Sequence, residues 1–224
     1  MTQVCLLVVA KAPVPGLAKT RLAATLGDDT AADIAAAALL DTLDAVADSP
    51  AAARVVALTG NLDEAARSDE IRCRLADFIV LPQRGDGFAD RLANAHLDAS
   101  AVTGGLPVLQ IGMDTPQVSP DLLGRCAQVL AGCDAVLGMA RDGGWWVLGV
   151  RDPATAECLR AVPMSAPDTG SETLSALEHT GIGVELVCEL ADVDTVDDID
   201  MVRDACAPTS RFHRTTATVS AGEA

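Results

Sequence analysis

Basic side chains are scarce in this chain. Sixteen lysines and arginines face 32 aspartates and glutamates, for a formal net charge of −16. That balance excludes a nucleic-acid surface, which would carry basic clusters, and disfavours anionic membranes. Tyrosine is absent. No segment holds eighteen consecutive apolar residues, so no membrane span is expected. The opening "MTQVCLLVVAK" lacks the basic start of a signal peptide, and its apolar run is too short for one. Seven cysteines are scattered without a C-x-x-C pair. They read as buried free thiols in a reducing compartment, so a cytoplasmic protein is expected. His96, His179 and His213 share no ligand spacing with one another or with cysteine, so no zinc site follows. No serine stands in a G-x-S-x-G turn, which leaves a serine hydrolase without support.

What remains is a globular pattern, with half of the 224 residues hydrophobic. Apolar, β-branched runs at 3–10, 54–60, 77–82, 106–112, 134–140, 144–150 and 183–190 read as strands. Helical periodicity fills 28–47, 87–100 and 119–132, the last with Ser119 as cap, Pro120 at the first position and Gly132 at the close. Asn61 with Glu64 three residues on reads as a capping box that starts a helix. A further helix is expected from Thr195 to about Cys206. Alternating strands and helices predict an α/β, three-layer sandwich around a mixed, mostly parallel central sheet. The 134–150 hairpin supplies the antiparallel part. Residues 1–207 are expected to form this domain, and 208–224 a loose tail without periodicity.

Ligands of such sheets bind beyond the carboxyl ends of the strands. That rule selects the loops at 11–21, 84–91, 113–118 and 191–195. The first, within "AKAPVPGLAKTRL", holds both lysines of the chain; the other fourteen basic residues are arginines. Pro13, Pro15 and Gly16 make it tight, and Lys11, Lys19 and Arg21 suit the phosphates of a nucleotide. It is not a Walker A loop, because Pro13 and Ala18 stand where that motif needs glycine. Asp114, just after a buried strand, suits Mg²⁺ or Mn²⁺. Asp192 and Asp194 precede the Thr195 cap and would complete the metal site, while Asp197 and Asp198 favour the helix dipole. In "QRGDGFADRL", Asp86 and Gly87 allow close approach of a base or sugar. Arg91 serves either phosphate or an ion pair with Asp86 or Asp90. In "RDGGWWVLG", Gly143 and Gly144 permit a ligand close by, and Asp142 is the candidate general base. Trp145 and Trp146 face opposite ways on a strand, so either one is core and the other faces a cavity, or both serve the hairpin.

Taken in order, "AKAPVPGLAKTRL", "QRGDGFADRL", "IGMDTP", "DGGWWVLG" and "DVDTVDDI" resemble the bacterial glycosyltransferase-like family of the GT-A, or nucleotide-diphospho-sugar transferase, fold. The resemblance spans roughly residues 3–203. The first loop and "DVDT" are also similar to those of phospholactate guanylyltransferase and, more loosely, molybdenum-cofactor guanylyltransferase. It implies phosphate contacts by Lys11, Lys19 and Arg21, and a metal on Asp114 completed by Asp192 and Asp194. It also implies a "DGG" element at Asp142–Gly144. The expected activity is a metal-dependent transfer from a nucleotide-linked substrate to a small-molecule acceptor, led by a glycosyltransferase with a nucleoside-diphosphate-sugar donor. Lys19 and Asp114 would be catalytic together with Asp142. A nucleotidyltransferase releasing pyrophosphate is the second expectation, although the Gly-x-Gly-x-Arg loop of sugar nucleotidyltransferases is missing. A non-catalytic nucleotide-binding protein is the third.

Overall fold

A computed structural model describes residues 2–219. The first strand, β1 (Thr2–Lys11), shows why the sheet is covered on both faces. Its side chains alternate. Val4, Leu6, Val8 and Ala10 enter one core, and Cys5, Leu7 and Val9 enter the other. A strand buried on both sides has no place for polar residues, which is why "VCLLVVA" reads as an unbroken apolar run.

After β1 come α1 (Thr20–Leu26), α2 (Asp28–Ala47), β2 (Ala51–Thr59), α3 (Ser68–Leu75) and β3 (Ile79–Pro82). Then follow α4 (Phe88–Val102), β4 (Val108–Ile111), α5 (Pro120–Gly132), β5 (Ala135–Ala140) and β6 (Trp145–Val150). A 3₁₀ segment (Pro153–Ala161), α6 (Thr169–His179), β7 (Val184–Leu190), α7 (Val196–Ala205) and α8 (Arg211–Thr216) follow within the described residues. The seven strands lie in the order β3-β2-β1-β4-β6-β5-β7. Only β6 runs antiparallel, pairing with β4 on one side and β5 on the other. Helices α2, α3 and α5 cover one face; α4, α6 and the 3₁₀ segment cover the other. The sheet is thus the expected mixed, mostly parallel layer of a three-layer α/β sandwich.

Two local expectations need correction. Asn61 does cap, accepting from the Asp63 N–H at 3.0 Å, but only a single 3₁₀ turn (Leu62–Glu64) follows. Arg67 then enters the left-handed region (φ 52°) and α3 starts afresh at Ser68. The carboxy-terminal stretch is also more than a loose tail. Helix α8 forms at Arg211–Thr216, while 220–224 lie outside the described residues. The cause is a clasp on α2. The nearly buried Asp41 carboxylate accepts the Arg211 N–H at 2.9 Å and the Phe212 N–H at 2.7 Å, and Phe212 is fully buried. Arg211 also pairs with Asp44. One aromatic in an otherwise polar stretch gives no periodicity to read. Removing the clasp leaves two N–H groups without their acceptor, so Asp41→Ala should lower unfolding free energy by about 2–3 kcal/mol in urea titration.

The cysteine expectation holds in part. All seven thiols are free, but only Cys5, Cys126 and Cys206 are buried, while Cys73 and Cys188 are exposed.

Candidate active site at the carboxyl edge of the sheet

Six parallel strands end at one edge of the sheet, and the antiparallel β6 begins there. That edge therefore gathers the loops after β1, β3, β4 and β7 and the tight β5–β6 turn. Together with Thr59 at the end of β2, they line a cavity of about 680 Å³.

Its acidic floor is built by two loops joined through their main chains. The Val193 N–H donates to the Asp114 carbonyl at 3.2 Å, which fixes the exit of β7 beside the exit of β4. Asp114, Asp192 and Asp194 all line the cavity. The Lys19 ammonium sits between two of them, 2.7 Å from Asp114 Oδ2 and 3.9 Å from Asp194 Oδ1. Its side chain is only 12% exposed. Burial opposes the charge, but Asp114, with Asp194 and Asp192 beyond it, outweighs burial and holds the ammonium above its ordinary range. The Lys19 backbone is left-handed (φ 47°), a conformation that side-chain-bearing residues seldom adopt. Arg21 bonds Asp194 from the exposed side. Among the described residues Asp192 has no such partner. Burial, then the Asp114 and Asp142 charges, push its carboxyl up to about 6.

The helix that follows is capped from within. Asp198 accepts from the Thr195 N–H at 2.7 Å and the Thr195 hydroxyl at 2.9 Å, and from the Asp194 N–H at 3.1 Å. It thereby sets the turn that presents Asp194.

Lys11, Arg21, Arg91, Asp142 and Gly144 also line the cavity. The Lys11 ammonium donates to the Leu17 carbonyl at 2.7 Å, so it closes its own loop. Arg91 pairs with neither Asp86 nor Asp90. Asp90 is taken by Arg160 at 2.9 Å, and Arg91 Nε reaches only the Gly85 carbonyl at 3.4 Å. The Asp142 Oδ1 accepts the Gly144 N–H at 2.8 Å. Trp146 is core, its indole N–H donating to the Cys188 carbonyl at 2.8 Å, whereas Trp145 is half-buried on the opposite face.

Gly16, Lys19, Asp86, Gly87 and Gly143 are not among the cavity-lining residues. Gly16 turns the first loop (φ 75°), and Gly87 precedes α4 as its cap. Gly143 is needed for packing. A Cβ there would lie 1.8 Å from the Pro167 carbonyl oxygen, and the Gly143 carbonyl accepts the Gly170 N–H at 2.7 Å. The turn is thus clamped against the segment leading into α6.

Sequence reasoning missed several cavity residues. Gln83 donates to the Ala10 and Ala57 carbonyls at 2.8 and 2.9 Å, bracing the ends of β1 and β2. Gln110 lies buried in the cavity wall with its Oε1 unpartnered. A lone amide inside the apolar "VLQI" was the available signal. Phe88, Met164 and Pro167 add an apolar wall; Met164 and Pro167 fall where no periodicity marks an element.

The carboxylates fit a hard divalent cation, because Asp114 and Asp194 already converge on one cation, the Lys19 ammonium. Among the described residues no trio of His, Cys, Asp or Glu forms a ready-made cage. A cation here would also need oxygen from water or phosphate, as Mg²⁺ sites with one or two carboxylates do.

Solved structures share the fold. A candidate nucleotide-diphospho-sugar transferase from Desulfovibrio desulfuricans G20 superposes with a TM-score of 0.84 at 23% identity, covering 97% of this chain and 95% of that one. Rv0371c from Mycobacterium tuberculosis H37Rv, in complex with manganese, gives a TM-score of 0.54 at 21% identity over 90% of this chain and 97% of its own. CMP:2-keto-3-deoxy-manno-octonic acid synthetase complexed with CTP gives 0.55 at 12% identity, with the same two coverages. No curated protein matches the chain in sequence. Residues 42–166 match a family of bacterial proteins described as "Uncharacterized protein conserved in bacteria". That match spans more than half of the sequence, and the chain belongs to this family, DUF2064.

Proposed function

We propose that the chain is a metal-dependent transferase that takes a nucleoside-diphosphate sugar and passes the sugar to a small-molecule acceptor. One observation carries this reading: Asp114 and Asp194, from separate loops, meet around a single cation at the ligand-binding edge of the sheet. Mg²⁺ or Mn²⁺ held by Asp114 and Asp194, with Asp192 beside them, would supply charge neutralisation for a diphosphate leaving group. Arg21 and Arg91 bring guanidinium groups to the same cavity and would bind phosphate oxygens. The Gly144 N–H holds Oδ1 of Asp142, which leaves Oδ2 to accept the proton of an acceptor hydroxyl. Phe88, Trp145 and Met164 would give the acceptor an apolar surface.

A second reading, nucleotidyl transfer with pyrophosphate release, is supported by the likeness to a synthetase that binds CTP. The same cavity serves both, because each reaction breaks a bond next to a metal-bound phosphate. Thermal shift with Mn²⁺ separates them. UDP- or GDP-sugars at saturating concentration should raise the melting temperature by about 5 °C, more than GTP or CTP does. Pyrophosphate formed from GTP or CTP with a phosphorylated acceptor would select the second reading. Saturable binding without turnover across an acceptor panel would leave a nucleotide-binding protein.

A further inference from the structure

The cation that brings the acidic floor together is part of the chain. Lys19 reaches it from a tight loop, in a left-handed backbone conformation, with its side chain almost wholly enclosed. The other two basic groups of that loop are placed differently. Lys11 bonds a carbonyl of its own loop, and Arg21, with a side chain 71% exposed, meets Asp194 from outside. Only Lys19 lies between the two carboxylates.

We propose that Lys19 is a built-in counter-ion that holds the divalent-cation position in the nucleotide-free protein and gives it up when diphosphate arrives. This rests on the transferase reading above. An ammonium and a divalent cation cannot share the same carboxylate oxygens, because their like charges repel at that range. Lys19 holds Oδ2 of Asp114, one of the two carboxylate oxygens open to a metal, at 2.7 Å. Free metal either displaces Lys19 from Oδ2, with nothing to receive the ammonium, or binds against its charge. A diphosphate changes the balance, since its oxygens offer Lys19 a second anionic partner. The ligand that the site selects is then the metal together with a diphosphate, and each strengthens the binding of the other.

Mn²⁺ binding followed by electron paramagnetic resonance tests this without turnover. Wild-type protein should bind Mn²⁺ weakly. Lys19→Met should bind Mn²⁺ alone about tenfold more tightly, and pyrophosphate should enhance Mn²⁺ binding less in the variant than in the wild type. Lys19→Gln provides a second neutral replacement, and circular dichroism establishes that each variant is folded. Lys11→Met removes the same charge from the same loop and should change Mn²⁺ affinity less than about threefold. Unchanged or weaker Mn²⁺ binding in both Lys19 variants, with binding still lost in Asp114→Asn, overturns the counter-ion role alone. Absence of Mn²⁺ binding in wild type and variants, with or without pyrophosphate, overturns the metal-dependent reading as well.

Discussion

Asp114→Asn should reduce metal-dependent turnover on the order of a thousandfold, the scale seen when a main electrostatic contact to developing charge is lost. The substitution keeps the shape of the side chain and removes its charge. Asp114 is both a proposed metal ligand and the principal partner of Lys19 at 2.7 Å. Without that charge the enclosed ammonium retains Asp194 at 3.9 Å, a much longer contact. Breaking a buried pair from one side also lowers stability. Activity must therefore be compared at a temperature where circular dichroism shows both proteins folded. Added Mn²⁺ should not restore the rate. Turnover equal to wild type would remove Asp114 from the metal site.

The second large effect concerns stability and lies away from the cavity. His96 on α4 is fully buried, and among the described residues neither ring nitrogen has a hydrogen-bond partner. Burial pushes its pKa from 6.5 down to about 3. The folded protein thus keeps the ring neutral where the unfolded chain would protonate it. Stability from this source is complete above about pH 6.5 and is lost as pH falls toward 3. At 1.36 kcal/mol per pH unit, the loss by pH 4.5 is about 3 kcal/mol, a large part of an ordinary domain's stability. His96→Leu removes the titration while keeping an apolar side chain of similar size. Urea unfolding should therefore show the variant gaining about 3 kcal/mol over wild type at pH 4.5 relative to pH 7.5. Surface carboxylates titrate equally in both proteins and cancel. Parallel losses in the two would show that the folded protein protonates His96 as readily as the unfolded chain does.

The sheet was legible because its signals are local and repeated. Residues buried on both faces of β1 leave an unbroken apolar run, and Ser119 with Pro120 marks the start of α5 in the sequence itself. The placement of the candidate site's acidic side chains was legible for a topological reason: a residue just after a parallel strand must lie at the carboxyl edge. Asp114, Asp192 and Asp194 follow that rule. The partners of each residue were not legible. Nothing local indicates that Lys19 turns inward while Lys11 bonds its own loop, or that Arg160, seventy positions away in the chain, takes Asp90 from Arg91. Gly143 was assigned to ligand approach because the segment against it, around Pro167, lies in a stretch without periodicity. Helix α8 escaped for the same reason, since its anchor is Asp41 on a helix far earlier in the chain.

The hydrogen bond from Val193 to the carbonyl of Asp114 involves no side chain. It survives any replacement at Asp114 and any but proline at Val193. The edge of the sheet is in that respect a fixed bracket with exchangeable fittings. Side chains at positions 114 and 194 can therefore change without re-laying a strand, and what such an edge binds is free to diverge faster than the scaffold itself.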